Sequence, residues 1–360
     1  MRIPGLMILL PLLVLHGPAK ALDMKDYDAL NRAAVDGHVL PRYDALAAAT
    51  AKLEQTAKAF CAAPAADRRI ESLQQAYHDA ADAWQDIQHV RFGPVDLFFR
   101  SQRFAFWPDP RNTIGKQMSE LLAKHAGGSL NADTLGRGSV AVQGLPAMER
   151  MAFGDDAKKL QTGPDAAFRC GYVTAIAENM AVMARETRQE WREPGIGFAA
   201  QMLKPGQGAD PRYRDAQEAT LELFKSLYTA IELAADHKLA RPLGASIDDA
   251  RPRLAESWRS ERSLRNIQRN LAAAADLYAT AFAPKVPDKS LDAAIRASFA
   301  QAQASAAALP MPLEHAVQDI AARKAAEKLA ADTLALKAVV MQRLPEALQI
   351  PVGFNALDGD

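Results

Sequence analysis

The stretch from Val90 to Asn112 holds the densest group of side chains that could do chemistry. Among its residues are four arginines, one tryptophan and the aspartate that follows it closely: Arg91, Arg100, Arg103, Arg111, Trp107 and Asp109. Guanidinium groups bind carboxylates and phosphates through paired N–H donors of fixed geometry. On a helix, Arg100, Arg103 and Trp107 share one face, and that face leads into a corner at Trp107-Pro108-Asp109. The stretch therefore predicts either a ligand site or a structural network that fixes one helix to its neighbours.

A second candidate lies at 142–154, where the sequence predicts the start of a helix. Pro146 suits a first turn because its missing N–H would be unpaired there, and the helix dipole stabilises an acid such as Glu149. The same turn presents free backbone N–H groups, which together with nearby arginines could bind an anionic group. Helix initiation and ligand binding both stay open as interpretations.

Apolar residues recur at spacings of three and four along most of the chain, which predicts the helices that must position these side chains. One stripe comprises Leu46, Leu53 and Phe60, and the next runs from Leu73 to Ile87. Later stripes begin at positions 172, 220, 264 and 329. No segment alternates apolar and polar residues for long enough to argue for a sheet. The predicted fold class is all-α.

A segment rich in proline and glycine, from Glu193 to Tyr213, interrupts these patterns. Because domains usually have about 100–200 residues, the length predicts two of them. We predict helical-bundle domains at 22–195 and 213–360, joined by a linker at 196–212. The sequence Pro-Arg-Tyr opens a predicted helix at 41–43 and again at 211–213, so we predict that the bundles are related by duplication.

The first 21 residues have the features of a secretory signal peptide. Arg2 gives the positive start, an apolar run follows at 6–15, and the small-x-small pattern at 19–21 predicts cleavage near Ala21 and a periplasmic location. The chain has 43 basic and 43 acidic residues, and removing Arg2 and Lys20 leaves a net charge of −2. That charge predicts no nucleic-acid partner. No later run reaches the ~20 apolar residues of a membrane span.

Cys61 and Cys170 are the only cysteines of the chain. Both fall at predicted helix ends, and an exported pair can form one disulfide bridge. Two buried free thiols are the alternative. The bridge is the favoured interpretation.

The histidines do not form a metal-binding motif. Those at 38, 78, 89, 125, 237 and 315 are scattered along the chain, and the helical arrangement His-Glu-x-x-His is absent. A catalytic zinc site normally has three protein ligands. His89 stands out only because it precedes Arg91 and the tryptophan corner. The sequence identifies no cofactor and predicts no stoichiometric zinc.

Four motifs are spread in order along the chain. They are WPD at 107–109, GLPAME at 144–149, ESWRSERSLRNI at 256–267 and LPEALQIPVGFNALDGD at 344–360. Together they resemble the imelysin family of bacterial envelope proteins. The resemblance implies an exported, all-helical protein of two related bundles, a link to iron uptake or iron regulation, and a peptidase assignment. The family motif Gly-x-His-x-x-Glu corresponds to Gly144, Pro146 and Glu149, so a proline without a side-chain donor atom replaces the histidine.

These observations favour a non-enzymatic periplasmic protein that binds a small molecule or ion in a pocket between its domains. Envelope iron-uptake proteins are the partners that the resemblance implies. The predicted ligand-binding residues are Arg91, Arg100, Arg103, Trp107, Asp109, Gly144, Glu149, Arg259, Ser260 and Asn266. Arg103 and Glu149 are predicted to serve a ligand more than the fold. A metal-dependent peptidase and a purely structural interaction module are the alternatives.

Overall fold

Helices make up all of the regular secondary structure that a computed structural model gives for residues 22–124, 130–207 and 211–352. Within these ranges there is no strand, which confirms the all-α prediction. The predicted signal segment, His125 and the terminal acids Asp358 and Asp360 lie outside the described residues. None of the described helices is long and apolar enough to cross a membrane.

In the first half of the chain, α2, α3 and α9 form the framework. The α-helices are α1 Met24–Ala34, α2 Leu40–Ala62, α3 Ile70–Gln85, α4 Arg100–Phe104, α5 Thr113–Ala123, α6 Ala132–Gly136, α7 Gly144–Phe153, α8 Lys159–Thr162, α9 Ala166–Arg192 and α10 Phe198–Leu203. Short 3₁₀ helices lie at Ala65–Asp67, Gly93–Val95, Leu97–Phe99 and Val140–Val142. The apolar stripes of α2 and α3 bury Leu53 and Tyr77 against the long helix α9 and the first turns of α7.

In the second half, α11, α13, α14 and α16 carry the packing. The α-helices are α11 Ala216–Glu232, α12 Ala240–Leu243, α13 Ser263–Leu277, α14 Lys289–Ala308, α15 Leu313–Ala316 and α16 Ile320–Ala347. Short 3₁₀ helices lie at Pro252–Leu254, Trp258–Ser260 and Ala283–Lys285. Helices α14 and α16 pack side by side, and Leu329 and Val340 of α16 are fully buried.

Three π-helical segments, Val35–Val39, Leu233–Leu239 and Tyr278–Phe282, interrupt long helical runs. Each is followed within three residues by a proline: Pro41, Pro242 and Pro284. A proline inside a helix removes one backbone donor and clashes with the carbonyl four residues earlier. In all three cases that carbonyl lies in the π segment, so the wider turn makes room for the proline ring. The sequence therefore contained a signal for these segments.

The hydrophobic core is continuous through both halves of the chain, from Leu30 to Ile350. Helix α1 lies against α11 and the end of α16, since the Tyr27 hydroxyl donates to the carbonyl of Leu348 at 2.9 Å. Asn31 likewise donates to the carbonyl of Ala216 at 2.8 Å. The predicted first domain thus begins with a helix that packs on the second half, and the division at 196–212 stays a prediction.

Both cysteines of the chain lie where α2 ends and α9 begins. Cys61 and Cys170 are joined by a disulfide, with their Cα atoms 5.4 Å apart. The carbonyl groups of Cys61 and Leu160 accept hydrogen bonds from the guanidinium of Arg68, which lies between α2 and α3. The bridge therefore ties the C-terminal end of α2 to the first turns of α9.

Candidate functional site

A cavity of about 820 Å³ lies where the corner after α4, helix α7 and the segment 252–261 meet. Its lining combines aromatic rings with charged groups from both halves of the chain. The polar and aromatic part of the lining includes Trp84, Trp107, Asp109, Glu149, Arg150, Arg241, Arg253, Glu256, Trp258, Arg259, Glu314 and His315. Ligand sites commonly occupy 300–1,000 Å³ and combine an apolar lining with a few convergent polar groups. This cavity is therefore the candidate site.

Glu149 connects α7 to the second half of the chain. Its side chain is buried, and Oε1 accepts hydrogen bonds from the backbone N–H of Ser260 at 2.9 Å and from its hydroxyl at 2.8 Å. Burial raises the pKa of Glu149 above its usual range, against the opposing effects of Ser260 and Arg259. The acid predicted from the GLPAME motif is therefore held in place by a donor from the ESWRSER motif.

The backbone of that second motif is bent at two positions. Ser257 and Glu261 have left-handed φ values of 55° and 53°, and they flank the 3₁₀ helix Trp258–Ser260. Such values are uncommon for residues other than glycine and occur often at functional sites. The bends place Trp258 and Arg259 in the cavity lining while Ser260 binds Glu149.

Arginines gather around Trp258. The Arg259 guanidinium lies 4.1 Å from the centroid of the indole ring, and that of Arg253 lies 5.5 Å from it. Arg150 approaches from α7 and donates to Oδ1 of Asn112 at 2.7 Å. Burial and, next, the nearby Arg150 lower the pKa of Arg259 to about 10. The site therefore brings three arginines together, of which Arg150 and Arg259 are half-buried and Arg253 is exposed.

A buried polar network of Gln85, Lys238, Glu256, Asn266 and Asn270 lies behind the cavity. Lys238 Nζ is 2.8 Å from Oε2 of Glu256 and 2.6 Å from Oε1 of Gln85. Asn266 donates to Glu256 at 2.7 Å, and Asn270 donates to the backbone carbonyl of Gln85 at 2.7 Å. Burial lowers the pKa of Lys238, and the neighbouring Glu256 opposes that change. The network joins α3 to the π segment 233–239 and to α13.

Arg262 extends these connections. Its Nη2 lies 2.5 Å from Oδ1 of Asp82 on α3, and its Nε donates to Asn266 at 2.9 Å. Arg265 pairs with the same aspartate. The ESWRSERSLRNI motif thus serves both purposes, because Trp258 and Arg259 line the cavity whereas Arg262 and Asn266 fix α13 to α3.

Of the predicted residues, four line the cavity: Trp107, Asp109, Glu149 and Arg259. Asp109 also caps α5, since its carboxylate accepts the backbone N–H groups of Thr113 at 2.8 Å and Ile114 at 2.9 Å. Ser260 and Asn266 lie directly behind the lining, bonded to Glu149 and Glu256.

The other predicted arginines lie elsewhere. Arg100 is buried and pairs with Glu190 at 2.5 Å and Glu186 at 3.0 Å, both on α9. Arg103 donates to Gln143 at 3.1 Å and to Asn179 at 2.7 Å. Arg91 and Arg111 are exposed and do not line the cavity. The shared face of Arg100 and Arg103 therefore contacts α9 and the start of α7, which corrects the expectation that it leads into the pocket.

Gly144 acts through the backbone. It has a φ of +67°, and a Cβ there would lie 2.2 Å from the carbonyl oxygen of Arg103 and 2.3 Å from that of Phe104. Only glycine permits this approach. Gly144, the first residue of the GLPAME motif, therefore allows the start of α7 to pack closely against the end of α4.

Sequence reasoning missed part of the lining. Arg150, Arg241, Arg253 and Trp258 were not among the predicted site residues, although all four line the cavity. Trp258 and Arg150 adjoin predicted residues, so the motifs at 144–149 and 256–267 carried a signal for them. Nothing in the sequence around Arg241 or Arg253 distinguishes them from surface arginines.

Within the described ranges, no three His, Cys, Asp or Glu side chains are arranged to hold a metal ion. Pro146 lines the cavity one turn before Glu149 and supplies no side-chain donor atom. The lining instead offers guanidinium groups, indole rings and three buried carboxyl groups, those of Glu149, Glu256 and Glu314.

These features define an all-helical protein whose cavity lies between the two halves of the chain. The family model described as Imelysin matches residues 39–340, and the chain belongs to the imelysin family.

Known relatives agree with that assignment. The chain is 22% identical over 246 residues to iron-regulated protein A of Synechococcus elongatus, a match that covers 68% of this chain and 62% of that relative. The chain thus spans less than two thirds of the length of this relative.

Two solved structures share the fold. An imelysin-like protein from Psychrobacter arcticum 273-4 has a TM-score of 0.73 at 18% identity, covering 93% of this chain and 99% of the other. An iron-regulated protein A precursor from Parabacteroides distasonis has a TM-score of 0.72 at 17% identity, covering 91% and 97%.

Proposed function

We propose that this chain is an exported, non-enzymatic binding or accessory protein linked to iron uptake, and that the cavity holds its ligand. The observation that carries the proposal is the lining itself, in which Trp107 and Glu149 from one half of the chain meet Trp258 and Arg259 from the other. Ligand sites often lie at the interface between two domains. The link to iron is taken from the name of the Synechococcus relative and from the imelysin family.

A binding role fits the chemistry of the lining better than hydrolysis does. Oε1 of Glu149 already accepts two hydrogen bonds from Ser260, and Pro146 offers no atom that could join Glu149 in binding a metal. A general base must also reach a water or a substrate proton. The proposal includes cleavage of the signal segment near Ala21, a periplasmic location, and two bundles at 22–195 and 213–360.

The proposal is tested by growth of the source bacterium under iron limitation, with the gene deleted and restored. The cavity variant is Trp258→Ala, combined in a second strain with Arg253→Gln. The matched control is Arg251→Gln, because Arg251 is exposed in the same segment but does not line the cavity. We expect the control to restore growth and the cavity variants to fail while accumulating to normal levels. Full restoration by the double variant would contradict the proposal.

A further inference from the structure

We propose that the cavity selects a small multivalent anion, a compound with two or more carboxylate or phosphate groups. This inference rests on the proposed function, because it names the class of ligand for the same site. It follows from two observations on the lining: arginines that form no ion pair, and acids of which most are bound by internal donors.

The first observation concerns the four arginines of the cavity lining. Arg150, Arg241, Arg253 and Arg259 line the cavity, and none of them forms an ion pair within the described residues. Interior arginines elsewhere behave differently, since Arg100 pairs with two glutamates and Arg262 pairs with Asp82. Arg150 and Arg259 are half-buried, whereas Arg241 and Arg253 are exposed. A half-buried guanidinium without a counter-ion favours binding of an anion.

The acids of the lining form no close ion pair with these arginines and are mostly bound by other groups. Glu149 is bound by Ser260, Glu256 by Lys238, and Glu261 lies 3.4 Å from His315. Asp109 accepts two backbone N–H groups at the start of α5, and Glu314 accepts a hydrogen bond from Ser263.

Burial also raises the pKa values of Glu149 and Glu314. Asp155 is exposed at the rim. Most acids in the interior of the lining are thus bound by other groups, although Oε1 of Glu314 has no hydrogen-bond partner within the described residues. None of the four arginines is in an ion pair there.

The geometry points to more than one anionic group. Arg253 and Arg259 share the ring of Trp258, while Arg150 lies on α7 and Arg241 on α12. One carboxylate or phosphate binds one or two guanidinium groups. A volume of about 820 Å³ exceeds what a single small anion fills. Carboxylate oxygens are also suitable ligands for hard metal ions, so a polycarboxylate could enter with iron bound to it.

Calorimetric titration of the mature protein tests the inference. The probes are citrate, pyrophosphate and ferric citrate, with spermidine and glucose as cationic and neutral probes at equal ionic strength. We expect at least one anion to bind and spermidine and glucose not to bind. Binding of citrate alone would indicate a carboxylate ligand. Binding of pyrophosphate alone would indicate a phosphate ligand, and binding of ferric citrate alone would indicate an iron-loaded ligand.

The variants Arg253→Gln and Arg259→Gln should each weaken anion binding about 10-fold or more, because a charged hydrogen bond contributes roughly 1.5–3 kcal/mol. Arg251→Gln should bind as the parent does, and equal unfolding midpoints would show that all variants are folded.

Equal affinity in Arg251→Gln and Arg253→Gln would overturn the inference, as would an absence of anion binding. If spermidine or glucose bound in the cavity instead, the inference would fail and the proposed function would stand. If no probe bound and the cavity variants supported normal growth under iron limitation, both the inference and the proposed function would fail.

Discussion

The Glu149 carboxylate accepts both the backbone N–H and the hydroxyl of Ser260, a residue 111 positions further along the chain. Glu149→Gln keeps an acceptor oxygen and removes the ionisable group. Since burial raises the pKa of Glu149 above its ordinary value of 4.5, the folded parent holds a proton that the unfolded chain loses. The parent should therefore lose stability as the pH rises above about 4.5, and Glu149→Gln should not.

Urea unfolding at several pH values, compared between the two proteins, measures this difference. Parallel curves of unfolding free energy against pH would contradict it. Glu149→Ala leaves the backbone N–H of Ser260 without its acceptor, while the hydroxyl can still donate to the carbonyl of Ser257 at 3.1 Å. It should cost about 1–3 kcal/mol near pH 4.5 and less at higher pH.

A second pH dependence of opposite sign comes from His38. This histidine is fully buried, with Nδ1 2.8 Å from Oδ2 of Asp276 and Nε2 2.9 Å from Nε2 of His89. Burial lowers the pKa of His38 to about 4 from an ordinary 6.5. Its contribution is therefore complete above about pH 6.5 and is lost as the pH falls towards 4, by about 3 kcal/mol at most.

Acid titration of stability in His38→Gln should show a shallower decline between these pH values than the parent shows. His315→Gln is the matched control, because the side chain of His315 is 57% exposed. A control that flattened the curve as much as His38→Gln would refute the assignment.

Arg100 and Arg103 should affect folding and leave ligand binding unchanged. Arg100→Ala removes two ion pairs with α9, whose acids Glu186 and Glu190 stay partly in water, so a loss of roughly 1–3 kcal/mol is expected. Arg103→Ala removes hydrogen bonds to two neutral amides and should cost about 1 kcal/mol. Denaturant unfolding together with the anion titration checks both. Loss of anion binding in a folded Arg103→Ala protein would return Arg103 to the ligand site.

The bridge between Cys61 and Cys170 should be present in protein taken from the periplasm. It closes a loop of 109 residues, for which loop-closure entropy gives about 4–5 kcal/mol as an upper limit. Replacing both cysteines by serine should therefore lower the free energy of unfolding by up to that amount. Peptide mapping without reductant detects the bridge, and two alkylated free thiols would disprove it.

The purified protein should contain far less than one zinc ion per chain. The family histidine position is Pro146, and Glu149 is bound by Ser260. Elemental analysis after purification without chelators measures the content. Stoichiometric zinc that disappears in Glu149→Ala would refute the prediction.

Sequence patterns predicted the helices because a helix with one buried face needs apolar residues at spacings of three and four, and this chain has that repeat. They also predicted Glu149 and Arg259, which line the cavity, because each lies in a short motif. They failed for Arg100 and Arg103, because the partners on α9 lie 76–90 residues away and helical spacing alone does not say which neighbour a shared face meets. They missed Arg253 because its role depends on the approach of Trp258 and α7, which is a property of the tertiary fold.

The buried polar network between α3 and α13 has a consequence for how a ligand gets in. Proteins that bind by hinge closure swing two lobes apart, and here that motion would separate Lys238 from Gln85 and Arg262 from Asp82. Opening would break the buried ion pair between Arg262 and Asp82, so we expect the open form to be a rare species. For the proposed ligand we therefore expect association without a slow closing phase, and the same radius of gyration with and without ligand.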